Sequence, residues 1–258
     1  MEEEYSNDSA YGDFAFVYDC FMDNIPYEEW GRYLKGLLDD CGITEGVLVD
    51  LGCGTGSMTL QMQQYGFDMI GVDLSEEMLE VARDKCPSDV LLVRQDMRQL
   101  ELYGLADAMY CVCDGMNYML EEEDLYRVFT GVKKYLAPEG VFIFDLKTKH
   151  FYEETLGDTV IAENREDASF IWENIFHPEN NLNEYLLTIY QLADEEQDLF
   201  ARSEELHYQK AYETEQVIEQ MNRAGLEPVA VYDAFTRESA GPDSDRVYLI
   251  AKRIDGGK

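Results

Sequence analysis

The sequence predicts an α/β fold: a doubly wound, mostly parallel sheet with helices on both faces and a small antiparallel β insertion. Three observations carry this. From Val47 onward short apolar runs alternate with stretches of helical periodicity, and a glycine turn (Gly52, Gly54, Gly56) closes the first of those runs. Between about Asp158 and Tyr212 the rhythm changes to alternating segments separated by turn clusters. Strand, helix, strand in succession implies crossover connections and therefore parallel pairing. A chain of 258 residues is long enough for one such core carrying an insertion.

Taken in order, Trp30, Tyr33, Leu34, Leu37 and Leu38 recur at helical spacing and predict a helix from about Tyr27 to Asp40 with one buried face, ended by Gly42. GVLVDLG is a short apolar run bounded by glycines, which suits a strand buried on both faces. FDMIGVD is the second strand, and SEEMLEVARDKC the helix after it, with Ser75 as N-cap and Glu76 and Glu77 where the macrodipole favours acids. DVLLVRQD and ADAMYCVCD are strands three and four. Leu125, Val128, Phe129, Val132 and Leu136 mark the next helix, which APEG stops before a fifth strand, GVFIFDL. The insertion has its turns at HPENN and ADEEQD. TEQVIEQMNRAGL then resumes a helix closed by Gly225, and EPVAVYDAF and DRVYLIAKR are the final strands.

Composition narrows the function. The formal charge is −34, from 54 acidic and 20 basic residues, with no basic patch. Such a field repels phosphate backbones and offers no counterion release, so nucleic acid is a disfavoured substrate. The acidity also serves solubility or adaptation to salt or cold. No apolar run approaches the roughly 20 residues that span a bilayer. The start MEEEYSNDSA lacks the basic and apolar parts of a secretory signal, which points to the cytoplasm. The six cysteines are expected to be reduced thiols, buried as small hydrophobes. Cys111 and Cys113, two apart on one strand face, leave a metal or redox pair open, although no histidine is near in sequence.

A glycine turn after a strand lets backbone approach a nucleotide closely. Here Ser57 stands where the third glycine of GxGxxG would fall, so the dinucleotide fingerprint is missed by one residue. Asp50, two residues before Gly52, would repel a pyrophosphate but suits a ligand with an ammonium group and a sulfonium. That favours S-adenosylmethionine over NAD. Asp73 ends the second strand, 21 residues after Gly52, where an acid accepts from ribose hydroxyls. Asp96 is placed to accept from an adenine amino group, between apolar walls from Leu74 and Met97.

With VDLGCGTG, GVDLSEEMLEVAR, RQDMRQL and LAPEGVFIFDL in this order, the chain resembles the class I S-adenosylmethionine-dependent methyltransferases over about Val47 to Leu146. AGLEPVAVYDAF and DRVYLIAKR resemble that family's last helix and strand pair. The resemblance implies a Rossmann-like seven-stranded sheet of order 3-2-1-4-5-7-6, its last strand antiparallel. It implies a cofactor-binding set of Tyr18, Asp50, Gly52, Cys53, Gly54, Asp73, Leu74, Met78, Asp96, Met97 and Cys113. It also divides the chain into an N-terminal aromatic lid and helix (1–42), a cofactor-binding core (43–150 and 213–258) and an inserted antiparallel subdomain over the active site (151–212). CDGMNY follows the fourth strand in place of [DN]PP[YF], which counts against base amino methylation.

The implied activity is in-line methyl transfer to a small-molecule acceptor. A non-catalytic S-adenosylmethionine-binding regulator, a tRNA methyltransferase and an NAD-dependent oxidoreductase are the alternatives. Acceptor-side candidates are Asp114, Asn117 and Tyr118 after strand four and His150 after strand five, with His150 a candidate general base. The aromatics Tyr11, Phe14, Phe16, Tyr18, Phe21, Tyr27 and Trp30 form either a lid over the cofactor or a hydrophobic helix packed on the sheet. His177 and His207 are expected to be ordinary strand residues of the insertion, and no metal-binding constellation emerges. The acceptor and the oligomeric state are left open.

Overall fold

The computed structural model describes residues 5–7 and 10–254. Residues 1–4 and 8–9 of the acidic start, on which the export reading partly rests, and residues 255–258 lie outside the described residues.

The chain opens with helices α1 (Ala15–Phe21) and α2 (Tyr27–Asp40), then alternates β1 (Val47–Leu51), α3 (Ser57–Gln64), β2 (Asp68–Asp73), α4 (Glu76–Lys85), β3 (Leu91–Arg94), β4 (Ala106–Cys111), α5 (Glu122–Tyr135) and β5 (Leu136–Lys147). Four strands of a second sheet follow: β6 (Val160–Asn164), β7 (Ala168–His177), β8 (Leu182–Asp194) and β9 (Leu199–Lys210). Helix α6 (Thr214–Ala224), β10 (Leu226–Asp233) and β11 (Arg246–Arg253) return to the first sheet. Its order is β3-β2-β1-β4-β5-β11-β10, parallel except for β11, which runs antiparallel to both neighbours. Counting only core strands, this is the expected 3-2-1-4-5-7-6. The insertion is a consecutive antiparallel meander, β6-β7-β8-β9, as its alternation predicts.

Strand alternation divides the core sheet into two apolar layers. Val49, Leu51, Met109, Phe142 and Phe144 face α5 and α6, whereas Leu48, Tyr110 and Ile143 face α2 and α3. The same alternation turns Asp50 toward α3. Ser75 caps α4 as its position predicts, accepting from the Met78 N–H at 2.9 Å. One boundary differs: the APEG segment does not separate helix from strand, because α5 ends at Tyr135 and β5 begins at Leu136. The apolar side of the α1 region packs on the second sheet, with Phe14, Val17 and Phe21 buried against Phe170, Leu187 and Ile189, while Asp19 on the same helix bonds Thr55 and Lys85 of the core, both at 2.6 Å. Among the described residues no helix is long and apolar enough to cross a membrane.

Candidate active site

The ends of β1, β2 and β3, the turn after β4, the N-terminal segment and the edge of the insertion enclose one cavity of about 1300 Å³. Its floor is the glycine turn. Gly54 lies at φ +53° and its N–H donates to Asp73 Oδ2 at 2.7 Å, while the Ser75 N–H donates to Asp73 Oδ1 at 2.9 Å. The strand-end carboxylate is thus pinned through both oxygens, each of which keeps a lone pair for a ligand hydroxyl. Burial nevertheless pushes its pKa up, against the lowering effect of these backbone donors. Gly56, at φ +79°, starts α3; a Cβ there would stand 2.8 Å from Cys86 Sγ. Glycine is needed at this point for conformation and for helix packing alike.

Asp50 is 2% exposed and accepts from Thr59 Oγ1 at 2.6 Å and from Tyr110 Oη at 2.8 Å. Burial raises its pKa to about 7, although both hydroxyls favour the charged form. Tyr18, Asp50, Gly52, Cys53, Gly54, Asp73, Leu74, Met78, Asp96, Met97 and Cys113 all line the cavity. The Asp96 carboxylate is already engaged: the Arg98 guanidinium Nε donates to its two oxygens at 3.0 and 2.9 Å, and the Arg98 N–H to Oδ1 at 2.8 Å. An adenine amino group would meet a paired carboxylate there. The surroundings otherwise fit S-adenosylmethionine: backbone open to close approach, a pinned acid for hydroxyls, a buried acid for an ammonium, and thioether and alkyl walls.

The acceptor-side residues expected from sequence are arranged differently. Asp114, Asn117 and His150 are not among the cavity's lining residues. Cys113 and Asp114 both adopt left-handed backbone, at φ 64° and 69°, which takes Cys113 off the strand face it was expected to share with Cys111. This turn directs the Asp114 carboxylate into ion pairs with Lys147 Nζ at 2.6 Å and Arg246 Nη2 at 2.5 Å. Those cations hold it below the usual carboxylate range despite its burial. The fully buried Asn117 bonds backbone: its amide donates to the carbonyls of Lys147 at 3.1 Å and Lys210 at 2.9 Å, and its oxygen accepts the Lys147 N–H at 3.0 Å. It ties the end of β5 to the end of β9. His150 lies 3.9 Å from Asp245 at the partly exposed start of a π-helical turn, Phe151–Leu156.

The N-terminal aromatics divide their work. Tyr11, Tyr18 and Tyr27 line the cavity, Phe14 and Phe21 bury against the insertion, Trp30 meets Phe235 at a tilt, and Phe16 is exposed. Tyr118 also lines the cavity, and behind it stand Glu205, which sequence reasoning passed over, and His207, which it expected to be an ordinary strand residue. Tyr118 Oη lies 2.7 Å from Tyr11 Oη and 3.0 Å from His207 Nδ1, and His207 Nε2 lies 2.9 Å from Glu205 Oε2.

Residues 48–140 match the family model described as a methyltransferase domain. The chain is 30% identical over 246 residues to the methyltransferase-family protein YqeM of Bacillus subtilis (strain 168), covering 94% of this chain and 97% of that protein. A solved S-adenosylmethionine-dependent methyltransferase from Clostridium acetobutylicum ATCC 824 superposes with a TM-score of 0.83 at 25% identity, covering 95% of this chain and 99% of that one. Over 98 residues, 38% of this chain and 39% of the relative, it is 32% identical to the dTDP-4-amino-2,3,4,6-tetradeoxy-D-glucose N,N-dimethyltransferase of Saccharopolyspora spinosa. Glycine turn, strand order and full-length similarity agree, and the chain belongs to the S-adenosylmethionine-dependent methyltransferases.

Proposed function

We propose that this enzyme methylates the nitrogen of a small-molecule amine. The observation that carries the reading is the composition of the cavity wall, where the rings of Tyr11, Tyr18, Tyr27 and Tyr118 stand among the acids Asp50, Asp73, Glu77 and Asp124. Tyrosine faces attract ammonium groups by about 0.5–2 kcal/mol, and a chain of charge −34 draws cations toward it. The same charge argues against a nucleic-acid acceptor. The amino-sugar relative supports the choice of nitrogen, since its name specifies an amine acceptor. All six cysteines are free thiols, which supports a reducing, cytoplasmic setting, although only Cys53 and Cys111 are buried as expected and Cys20 is exposed.

When bound, S-adenosylmethionine supplies an electrophilic methyl group on a positively charged sulfur. The chain supplies binding and alignment. In this reading Asp73 accepts from the ribose hydroxyls and Asp50 faces the cofactor's ammonium. Gly52, Cys53 and Gly54 present backbone to the methionyl part, and Tyr18 and Cys113 close that end. Leu74, Met78 and Met97 wall the base, with the Asp96–Arg98 pair at its edge. Residues 10–42 of the N-terminal segment and the insertion 151–212 cover the core and keep water out.

The test uses methyl-labelled cofactor and a cell metabolite extract, one half of which has had its amines acetylated. Label is expected in the untreated half and absent from the acetylated one. Equal labelling of both halves would exclude an amine acceptor.

Asp50 gives a second expected result. Because its folded pKa is raised, the folded state holds the proton more tightly than the unfolded chain does. Stability is therefore lost as pH rises from the ordinary carboxylate value of 3.8 to about 7, above which the loss is complete. The penalty at higher pH is on the order of 4 kcal/mol for a shift of this size. A cofactor ammonium beside Asp50 favours its charged form. Calorimetry slightly below neutrality, run in buffers of different ionisation enthalpy, will detect protons released on cofactor binding, and Asp50→Asn will abolish that release. Buffer-independent heats in the native protein would show that no cation reaches Asp50.

A further inference from the structure

We infer that Glu205, His207, Tyr118 and Tyr11 form a proton relay that carries the acceptor's proton out of the cavity. The inference rests on the methyltransferase reading of that cavity and adds the acid–base machinery which Asp114, Asn117 and His150, buried in other contacts or remote, do not provide.

Geometry sets the direction of the chain. Glu205 Oε1 accepts the Phe14 N–H at 2.9 Å and Oε2 accepts the Tyr11 N–H at 2.9 Å. With these donors favouring its charged form, the Glu205 carboxylate only accepts, so the 2.9 Å contact to His207 Nε2 is an N–H donating to it. Neutral His207 then holds its lone pair on Nδ1, aimed at Tyr118 Oη 3.0 Å away. Tyr118 donates to it, and its oxygen accepts from Tyr11 Oη at 2.7 Å. The remaining lone pair of Tyr11 belongs to the cavity, which both tyrosines line.

Packing alone does not account for this arrangement. Glu205 and His207 are 7% and 4% exposed, and burying a carboxylate costs free energy that an apolar pair would not. His207 and the two backbone donors hold the Glu205 carboxyl below its usual range despite its burial. Tyr11 has φ 62°, a left-handed backbone rare outside glycine, at the residue whose N–H and hydroxyl both join the network. Burial raises the phenol pKa values of Tyr11 and Tyr118, so the relay passes protons through neutral hydroxyls.

The step balances as follows. The acceptor nitrogen's lone pair forms the new N–C bond, and the broken C–S pair leaves with sulfur. The proton shed by nitrogen moves to Tyr11 Oη as the Tyr11 proton moves to Tyr118 and the Tyr118 proton to His207 Nδ1. The resulting imidazolium faces Glu205, and the same path in reverse returns the proton after product leaves.

Two measurements test this. In uniformly 15N-histidine-labelled protein, with the His207 signals assigned by their loss in His207→Gln, alkaline buffer is expected to show Nε2 protonated and Nδ1 bare. A protonated Nδ1 overturns the relay. In the extract assay at saturating cofactor, Tyr118→Phe and Tyr11→Phe are expected to lower turnover about 100-fold, the scale of a lost general base. Their calorimetric affinity for S-adenosylhomocysteine should stay within about 2-fold of the parent, a split that mere loss of folding would not produce. Parent-like turnover in both variants overturns the proposal. If the parent labels only a non-amine pool, the amine reading fails by itself, and the variants' rates on that pool still decide the relay.

Discussion

Asp73→Ala is expected to weaken S-adenosylmethionine binding by at least about 100-fold. Two charge-assisted hydrogen bonds to ribose hydroxyls, at roughly 1.5–3 kcal/mol each, account for a loss of that size. The Gly54 and Ser75 N–H groups, now 2.7 and 2.9 Å from the carboxylate oxygens, also lose their acceptor. Asp73→Asn should fare little better, since its amide nitrogen would face one of those donors with a donor. The fold should tolerate both changes, because Asp73 lies at the cavity wall beyond the packed part of β2. Titration calorimetry checks the affinity and thermal unfolding checks the fold. An affinity for Asp73→Ala within threefold of the parent would remove Asp73 from the ribose site.

The contrast between the two sides of the cavity shows what a sequence makes legible. Cofactor-side residues are local: Asp50, the glycine turn and Asp73 sit at successive strand ends, so predicting the strands also predicts their convergence. The predicted α2 agrees with the observed Tyr27–Asp40, and the parallel order follows from the strand–helix rhythm. The acceptor side depends on two features without such a signature. Left-handed backbone at the non-glycine residues Cys113 and Asp114 sets the path of the turn Gly115–Tyr118, so that Tyr118 reaches the cavity while Asp114 and Asn117 turn elsewhere. On β9 the usual alternation is inverted: Glu205, His207 and Gln209 are buried, whereas Leu206 is exposed. Hydrophobicity alone would place that strand the other way round. The partners, Tyr11 and Tyr118, lie 194 and 89 residues away in sequence. The detectable hint was polar residues at every second position of an inserted strand.

Arg246→Met is expected to destabilise the fold by about 3–5 kcal/mol, the usual cost of removing one partner from a buried charge cluster. Arg246 bonds Asp145, which is fully buried, and Asp114, and it lies 5.3 Å from the Trp30 ring. Without it Asp114 keeps Lys147, but Asp145 keeps only the N–H groups of Cys113 and Asp114 at 3.2 and 3.1 Å. Burial already raises the pKa of Asp145 against the pull of Arg246, and removing that pull raises it further. A carboxylate whose folded pKa is raised loses stability as pH rises from its unfolded value up to that raised value, and regains it on acidification. The variant's deficit should therefore be largest near neutrality and shrink toward mild acid, as denaturant unfolding at several pH values would show. A deficit below about 1 kcal/mol, or one that does not change with pH, would mean that the cluster is not held by this cation. Because Asp145 anchors the left-handed turn that delivers Tyr118, the variant should lose methyl transfer even at temperatures where it remains folded.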